Sequence, residues 1–140
     1  MTVSAMSRPT GHPGYSETLP CVEESAEVAR SLVRTALATW HLGHLADDGA
    51  LIVTELVANA TKHTGSRVIR VVVARPSATL VRIGVVDKSR TIPEIHKSNG
   101  DSLPIDGRGL LLIDELTDRW GTDLYRWGKQ VWGELKVEAS

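Results

Sequence analysis

Glu55, Asn59 and His63 recur at i, i+4 and i+8 within residues 51–64, Leu-Ile-Val-Thr-Glu-Leu-Val-Ala-Asn-Ala-Thr-Lys-His-Thr, with Lys62 one step from that line. On a helix this spacing sets a carboxylate, a carboxamide and a cation along one strip. A carboxylate can orient and deprotonate an attacking hydroxyl. A carboxamide oxygen is a hard donor suited to Mg²⁺. Further on, Asp87 ends a β-branched run and can accept a hydrogen bond from a base amine. Gly107-Arg108-Gly109 follows a polar stretch and opens an apolar, helix-like run. Glycines there let backbone N–H groups approach an anion, and a helix N-terminus favours negative charge. Taken singly, each feature is ordinary: a solvated polar edge, a strand-ending turn residue, a helix boundary. Their joint order around one crevice suits a nucleotide. The chemistry is not of the Walker type, because no Gly-x-x-x-x-Gly-Lys-Ser/Thr occurs.

The elements that must position these residues are legible from periodicity. Residues 51–64 read as one helix, with Asp47 or Asp48 as its cap and Gly65 as the left-handed residue that ends it. Val53, Leu56, Val57, Ala60 and Thr64 should face a core. Upstream, residues 24–40 carry the apolar stripe Ala29, Leu32, Val33, Ala36, Leu37 and Trp40 and read as another helix. Residues 1–15 read as a mobile arm, and residues 15–19 as a short edge strand closed by Pro20. His41 and His44 lack a carboxylate or cysteine at metal-ligand spacing and read as loop histidines.

After Gly65-Ser66 the period changes to two. Residues 67–75 read as a strand, 76–78 as a turn and 79–87 as the returning strand. In that second strand Val81, Ile83, Val85 and Asp87 share a face. Residues 88–106 form a long irregular loop, a length usually tied to function or disorder. A helix follows the glycines, with Leu110, Leu111, Ile113 and Leu116 available to the core and Gly121 at its end. Residues 122–126 and 130–137 read as two more strands with Gly128 between them, and Leu124, Trp132 and Leu135 as packing residues. Paired antiparallel strands with helices gathered on one face define an α+β, two-layer α/β sandwich. The expected division is an arm over 1–15 and one domain over 16–140.

The 140 residues suit a single domain with a real core. A formal net charge of -1, with no basic run, argues against direct binding to nucleic acid or a membrane surface. One cysteine, Cys21, cannot form an intrachain disulfide and favours a reducing cytoplasm; it reads as a small buried apolar residue. No apolar run is long enough to span a bilayer, and no apolar signal core stands at the N-terminus. Phenylalanine is absent, so aromatic packing rests largely on Trp40, Trp120, Trp127 and Trp132.

These motifs resemble those of the GHKL-type ATPases with the Bergerat nucleotide fold. Within that group the chain is similar to the small anti-sigma-factor serine kinases and the stand-alone ATP-binding regulators of actinobacteria. The resemblance covers residues 15–137. Glu55-Leu-Val-Ala-Asn59-Ala-Thr-Lys-His63 matches the N box. Val86-Asp87-Lys88-Ser89, followed by Pro93, matches a shortened first glycine box, and Gly107-Arg108-Gly109-Leu110 the second. Gly128-Lys129-Gln130-Val131-Trp132 matches the closing strand. The resemblance implies Glu55 as general base, Asn59 as Mg²⁺ ligand and Asp87 as adenine contact, with Ser89 beside it. It implies Lys62 or His63 at phosphate, Gly107, Arg108, Gly109 and Leu110 along the triphosphate, and 88–106 as a lid over ATP. Two departures stand out. Ser89 replaces the glycines that follow the Asp in the family, and Lys129-Gln130 stand where a threonine supports adenine.

The resemblance implies an ATP-dependent protein serine/threonine kinase. It would phosphorylate an anti-sigma antagonist and bind a sigma factor when that antagonist is absent, and a homodimer fits it. The alternative, motivated by the altered adenine positions, is a non-catalytic ATP-binding or partner-binding module. A histidine-kinase fragment would need a phosphoacceptor helix hairpin, for which residues before 24 leave no room.

Overall fold

The computed structural model describes residues 3–6, 14–63, 65–93 and 105–138. In chain order the elements are β1 (Val3–Met6), β2 (Gly14–Pro20), α1 (Ser25–Thr39), a 3₁₀ turn (Gly43–Leu45), α2 (Ala46–His63), β3 (Val68–Ser77), β4 (Leu80–Asp87), α3 (Ile105–Leu116), β5 (Arg119–Leu124) and β6 (Lys129–Lys136). The strands form one 6-stranded sheet in the order β1-β2-β3-β4-β6-β5, antiparallel at every pairing. Helices α1 and α2 lie across its inner face, α1 over β2 and β3 and α2 over β4 and β6. Helix α3 packs on α2 and β5. This is the two-layer α+β architecture expected. No helix among the described residues is long and apolar enough to cross a membrane.

The core follows from two periods that interlock. The stripe Ala29, Leu32, Val33, Ala36 and Leu37 of α1 and Val53, Leu56, Val57 and Ala60 of α2 meet Ile69, Val71 and Val73 of β3 and Val81, Ile83 and Val85 of β4. Each fully buried aliphatic side chain contributes about 1.5–3 kcal/mol by leaving water. The two helices are also tied by Arg30, which donates to Thr54 Oγ1 at 3.0 Å.

Several boundaries differ from the sequence expectation. Part of the arm expected over 1–15 is strand: Val3–Met6 pair with β2, so β2 is not an edge. Helix α2 starts at Ala46, which moves Asp47 and Asp48 from the cap into the first turn. There their carboxylates meet the positive end of the helix dipole, and Asp47 also pairs with Arg34. Gly65 does not adopt the left-handed conformation expected of it, and Thr64 lies outside the described residues. The left-handed residue is His41, with φ 61°. It ends α1 in a Schellman motif: Leu42 N–H reaches the Leu37 carbonyl at 2.7 Å and His41 N–H the Ala38 carbonyl at 3.1 Å. Strand β3 continues through Pro76 to Ser77, past a register shift at Ala74/Ser77. Gly121 sits inside β5 and not at the end of α3. Cys21 is only partly buried, Leu124 is exposed, and Trp127 is 58% exposed, stacked on Tyr125.

Among the described residues no helix covers the outer face of the sheet, which covers itself. Glu134, 1% exposed, accepts from Arg82 Nη2 at 2.7 Å and from Arg119 Nε at 2.9 Å. Both guanidinium groups also lie over the Trp132 ring, at 4.5 and 5.2 Å from its centroid. Burial pushes the Glu134 carboxyl up, but the hydrogen bonds and charges of Arg119 and Arg82 outweigh it and hold it below the ordinary carboxylate range.

Candidate functional site

Helix α2 supplies one wall. Its apolar positions fix its rotation on the sheet, and that leaves Glu55 and Asn59 half-buried at the border of the packed face. Lys62 and His63 are exposed in its last turn. The first turns of α3 come against this wall. A Cβ placed at Gly109 would fall 2.6 Å from Glu55 Oε2, so the missing side chain is what lets the carboxylate lie there. The structure thus brings together the N-box carboxylate and the second glycine motif.

The glycine motif works differently from the sequence expectation. Helix α3 begins at Ile105, two residues before Gly107. Only the first four N–H groups of a helix lack intrahelical partners. Gly107 and Arg108 belong to that set, whereas Gly109 comes after it and makes room for Glu55. Leu110 is buried in the core. The Arg108 side chain and residues 94–104, most of the expected lid, lie outside the described residues.

Asp87 is where the outcome departs furthest from the family pattern. It ends β4 on the inner face, with Val81, Ile83 and Val85, as its parity requires. Its Oδ1 accepts from Ser89 N–H at 2.8 Å and from Lys129 Nζ at 2.9 Å. Lys129 also donates to the Ser89 carbonyl at 3.2 Å. Both side chains of the pair are 2% exposed. The register places Asp87 directly opposite Lys129 across β4 and β6. Gly128 makes that approach possible: a Cβ there would fall 2.1 Å from the Asp87 carbonyl oxygen. Ser89 is absorbed in the turn, its hydroxyl accepting from Thr91 N–H at 3.2 Å. Ser66 anchors the same corner, accepting from Lys88 N–H at 2.8 Å.

Gln130 is not part of this site. It faces the outer side of the sheet, covers Gly84 and accepts from the Tyr125 hydroxyl at 2.9 Å. The partnership of Lys129 with Asp87 is the feature sequence reasoning missed. Its signal was present, since Lys129, Val131 and Leu135 share one parity and the other two are core residues. Removing one partner from a buried pair of this kind typically costs about 3–5 kcal/mol, because the other charge stays buried.

A cavity of about 160 Å³ touches Asp87 from the side of Val68, Val86 and Trp127. Ligand pockets usually measure about 300–1,000 Å³. For Mg²⁺, no cluster of three or more His, Cys, Asp or Glu that could hold a metal occurs among the described residues. Mg²⁺ that arrives with a nucleotide takes much of its shell from phosphate and water, so it needs few protein oxygens.

The model of the histidine kinase-like ATPase domain matches residues 20–132, most of the chain. The chain therefore belongs to that family, that of the GHKL-type ATP-binding domains. Among solved structures, it resembles the crystal structure of the RsbU and RsbW domains of Rv1364c from Mycobacterium tuberculosis. The TM-score is 0.64 at 20% identity, over 91% of this chain and 33% of that one. The chain thus spans about a third of that protein's length, and the likeness is one of fold. No curated protein matches the chain significantly.

Proposed function

We propose that the chain is an ATP-binding regulatory protein that phosphorylates a serine or threonine of a partner protein in an anti-sigma switch. The partner is an anti-sigma antagonist, and a sigma factor is bound when the antagonist is absent. The RsbW domain in the structurally similar protein supports this reading. The observation that carries it is the half-buried Glu55 carboxylate seated against Gly109, beside the start of α3. On this reading a carboxylate suited to a general base stands next to a helix end suited to an anion. Glu55 would orient the acceptor hydroxyl and take its proton. The first-turn N–H groups of Gly107 and Arg108, with Lys62 and His63, would meet the triphosphate. Asn59 would hold Mg²⁺, which neutralises phosphate charge when bound. Residues 88–106 would close over the site. The protein would act in the cytoplasm, as a homodimer.

Glu55→Ala is expected to abolish phosphate transfer while leaving Mg-ATP binding intact. Intact-mass measurement of the co-purified partner after incubation with Mg-ATP reads the first, and calorimetric titration the second. Equal transfer by variant and wild type would sink the base assignment. A second reading, a non-catalytic ATP-binding or partner-binding module, draws on the buried Asp87–Lys129 pair. Binding without any mass gain on the partner would favour it.

A further inference from the structure

Lys129 is among the largest fully buried side chains of the chain, yet it carries a cation and lies on the inner face of the sheet. Its ammonium spends two N–H groups on Asp87 Oδ1 and the Ser89 carbonyl. Asp87 Oδ1 takes a further hydrogen bond from Ser89 N–H. The carboxylate that would accept a base amine is therefore already supplied with donors from within the chain. The lysine side chain is itself 2% exposed. The geometry points to Lys129 as a built-in occupant of the base subsite. A nucleoside triphosphate would then be held through its polyphosphate and Mg²⁺, with the base adding little affinity. This rests on the proposed ATP binding and on Asp87 as the base contact that the family resemblance implies.

The physical basis is a competition between two donors for one acceptor. A base amine is neutral and arrives from solution, whereas the lysine ammonium is charged and tethered. Both would bond to a carboxylate, but only the lysine adds the attraction of an opposite charge. Displacing the lysine would also leave a buried ammonium without its counter-charge, which the interior strongly opposes. Discrimination between bases by hydrogen bonding requires an acceptor that is left unpaired by the wrong base. Here Oδ1 is paired whichever base is present, and the side chain that bears it is only 2% exposed.

The test is calorimetric titration of Mg-ATP, Mg-GTP and magnesium tripolyphosphate into the wild type, Lys129→Thr and the double variant Asp87→Asn/Lys129→Thr. The double variant removes both charges together and avoids a buried unpaired carboxylate. Folding of each is checked by thermal melts. The wild type is expected to bind all three ligands within about threefold of one another. Lys129→Thr is expected to tighten ATP by about tenfold or more, with GTP and tripolyphosphate unchanged. The double variant is expected to prefer ATP over tripolyphosphate, because the Asn carbonyl can accept the amine.

A wild type that prefers ATP by more than about tenfold overturns the proposal, since Asp87 then reads adenine despite Lys129. A comparable preference for GTP overturns it too, because Lys129 would then be reading a base carbonyl. The wild-type series needs no variant to fold. If the wild type binds none of the three, the proposed function fails. ATP binding by either variant in that case still supports the lysine as the occupant, and no binding by folded variants overturns both.

Discussion

At Gly109 a single absent side chain separates stability from activity. A methyl group there meets the far end of Glu55, not backbone, so the fold can yield while the carboxylate moves. Alanine is also favoured over glycine inside a helix by about 0.5–1 kcal/mol. Gly109→Ala is therefore expected to leave the melting temperature unchanged or raised. Phosphate transfer should fall by about a hundredfold, the usual effect of misplacing a reacting group by an ångström. A melting curve and a transfer assay on one preparation check both halves, and undiminished transfer would separate Glu55 from the chemistry. The residue scale also shows what a motif conceals. The places of Glu55 and Asn59 on a helix and of Asp87 at a strand end were legible from type and spacing. The role of Lys129 was not, because lysine at a strand start normally reads as a solvated residue. Its parity with Val131 and Leu135 pointed inward, but its partner emerged from the register that sets it opposite Asp87.

At the scale of elements, periodicity located every helix and the strands β2 to β6, and ends were the weaker part. The reason is physical: apolar spacing is enforced by the core, whereas an end is set by local hydrogen bonds that several residue types can make. Helix α1 shows this. Its terminator is His41 in the left-handed region, a place where glycine is the usual occupant. A side chain with a Cβ pays about 1–2 kcal/mol there. His41→Gly is expected to stabilise the protein by about 1 kcal/mol, since the Schellman bonds to Leu37 and Ala38 remain. A higher urea midpoint with an unchanged slope would confirm it; a lower midpoint would show that the histidine makes compensating contacts. Strand β1 was missed because its four residues, Val-Ser-Ala-Met, are too few to display a period.

For the whole molecule, the uncovered sheet face makes stability depend on acid. Glu134 has a folded pKa below its ordinary value of 4.5. The stabilisation it contributes is complete above that ordinary value and is lost as pH falls through the lower, folded one. Glu134→Gln is expected to be less stable than wild type at neutral pH, and the gap should narrow below about pH 4 as the wild-type carboxyl protonates. Urea titrations of both proteins at pH 7 and pH 3 give the comparison. A gap that stays constant with pH would mean that the carboxylate charge contributes nothing there.

The strand order carries a kinetic consequence. Only β1–β2, β3–β4 and β5–β6 join neighbours along the chain; β2–β3 and β4–β6 close across intervening helices. The bonds that stitch these junctions span 54 residues from Ser16 to Arg70 and 52 from Arg82 to Glu134. Closing such long loops comes before the contacts that reward it, so folding should start in the β3–β4 and β5–β6 hairpins and wait on their union. The Asp87–Lys129 pair lies on that late seam. During synthesis the Glu55–Asn59 helix and β4 emerge well before β6, so Asp87 spends that interval without the lysine that later closes it.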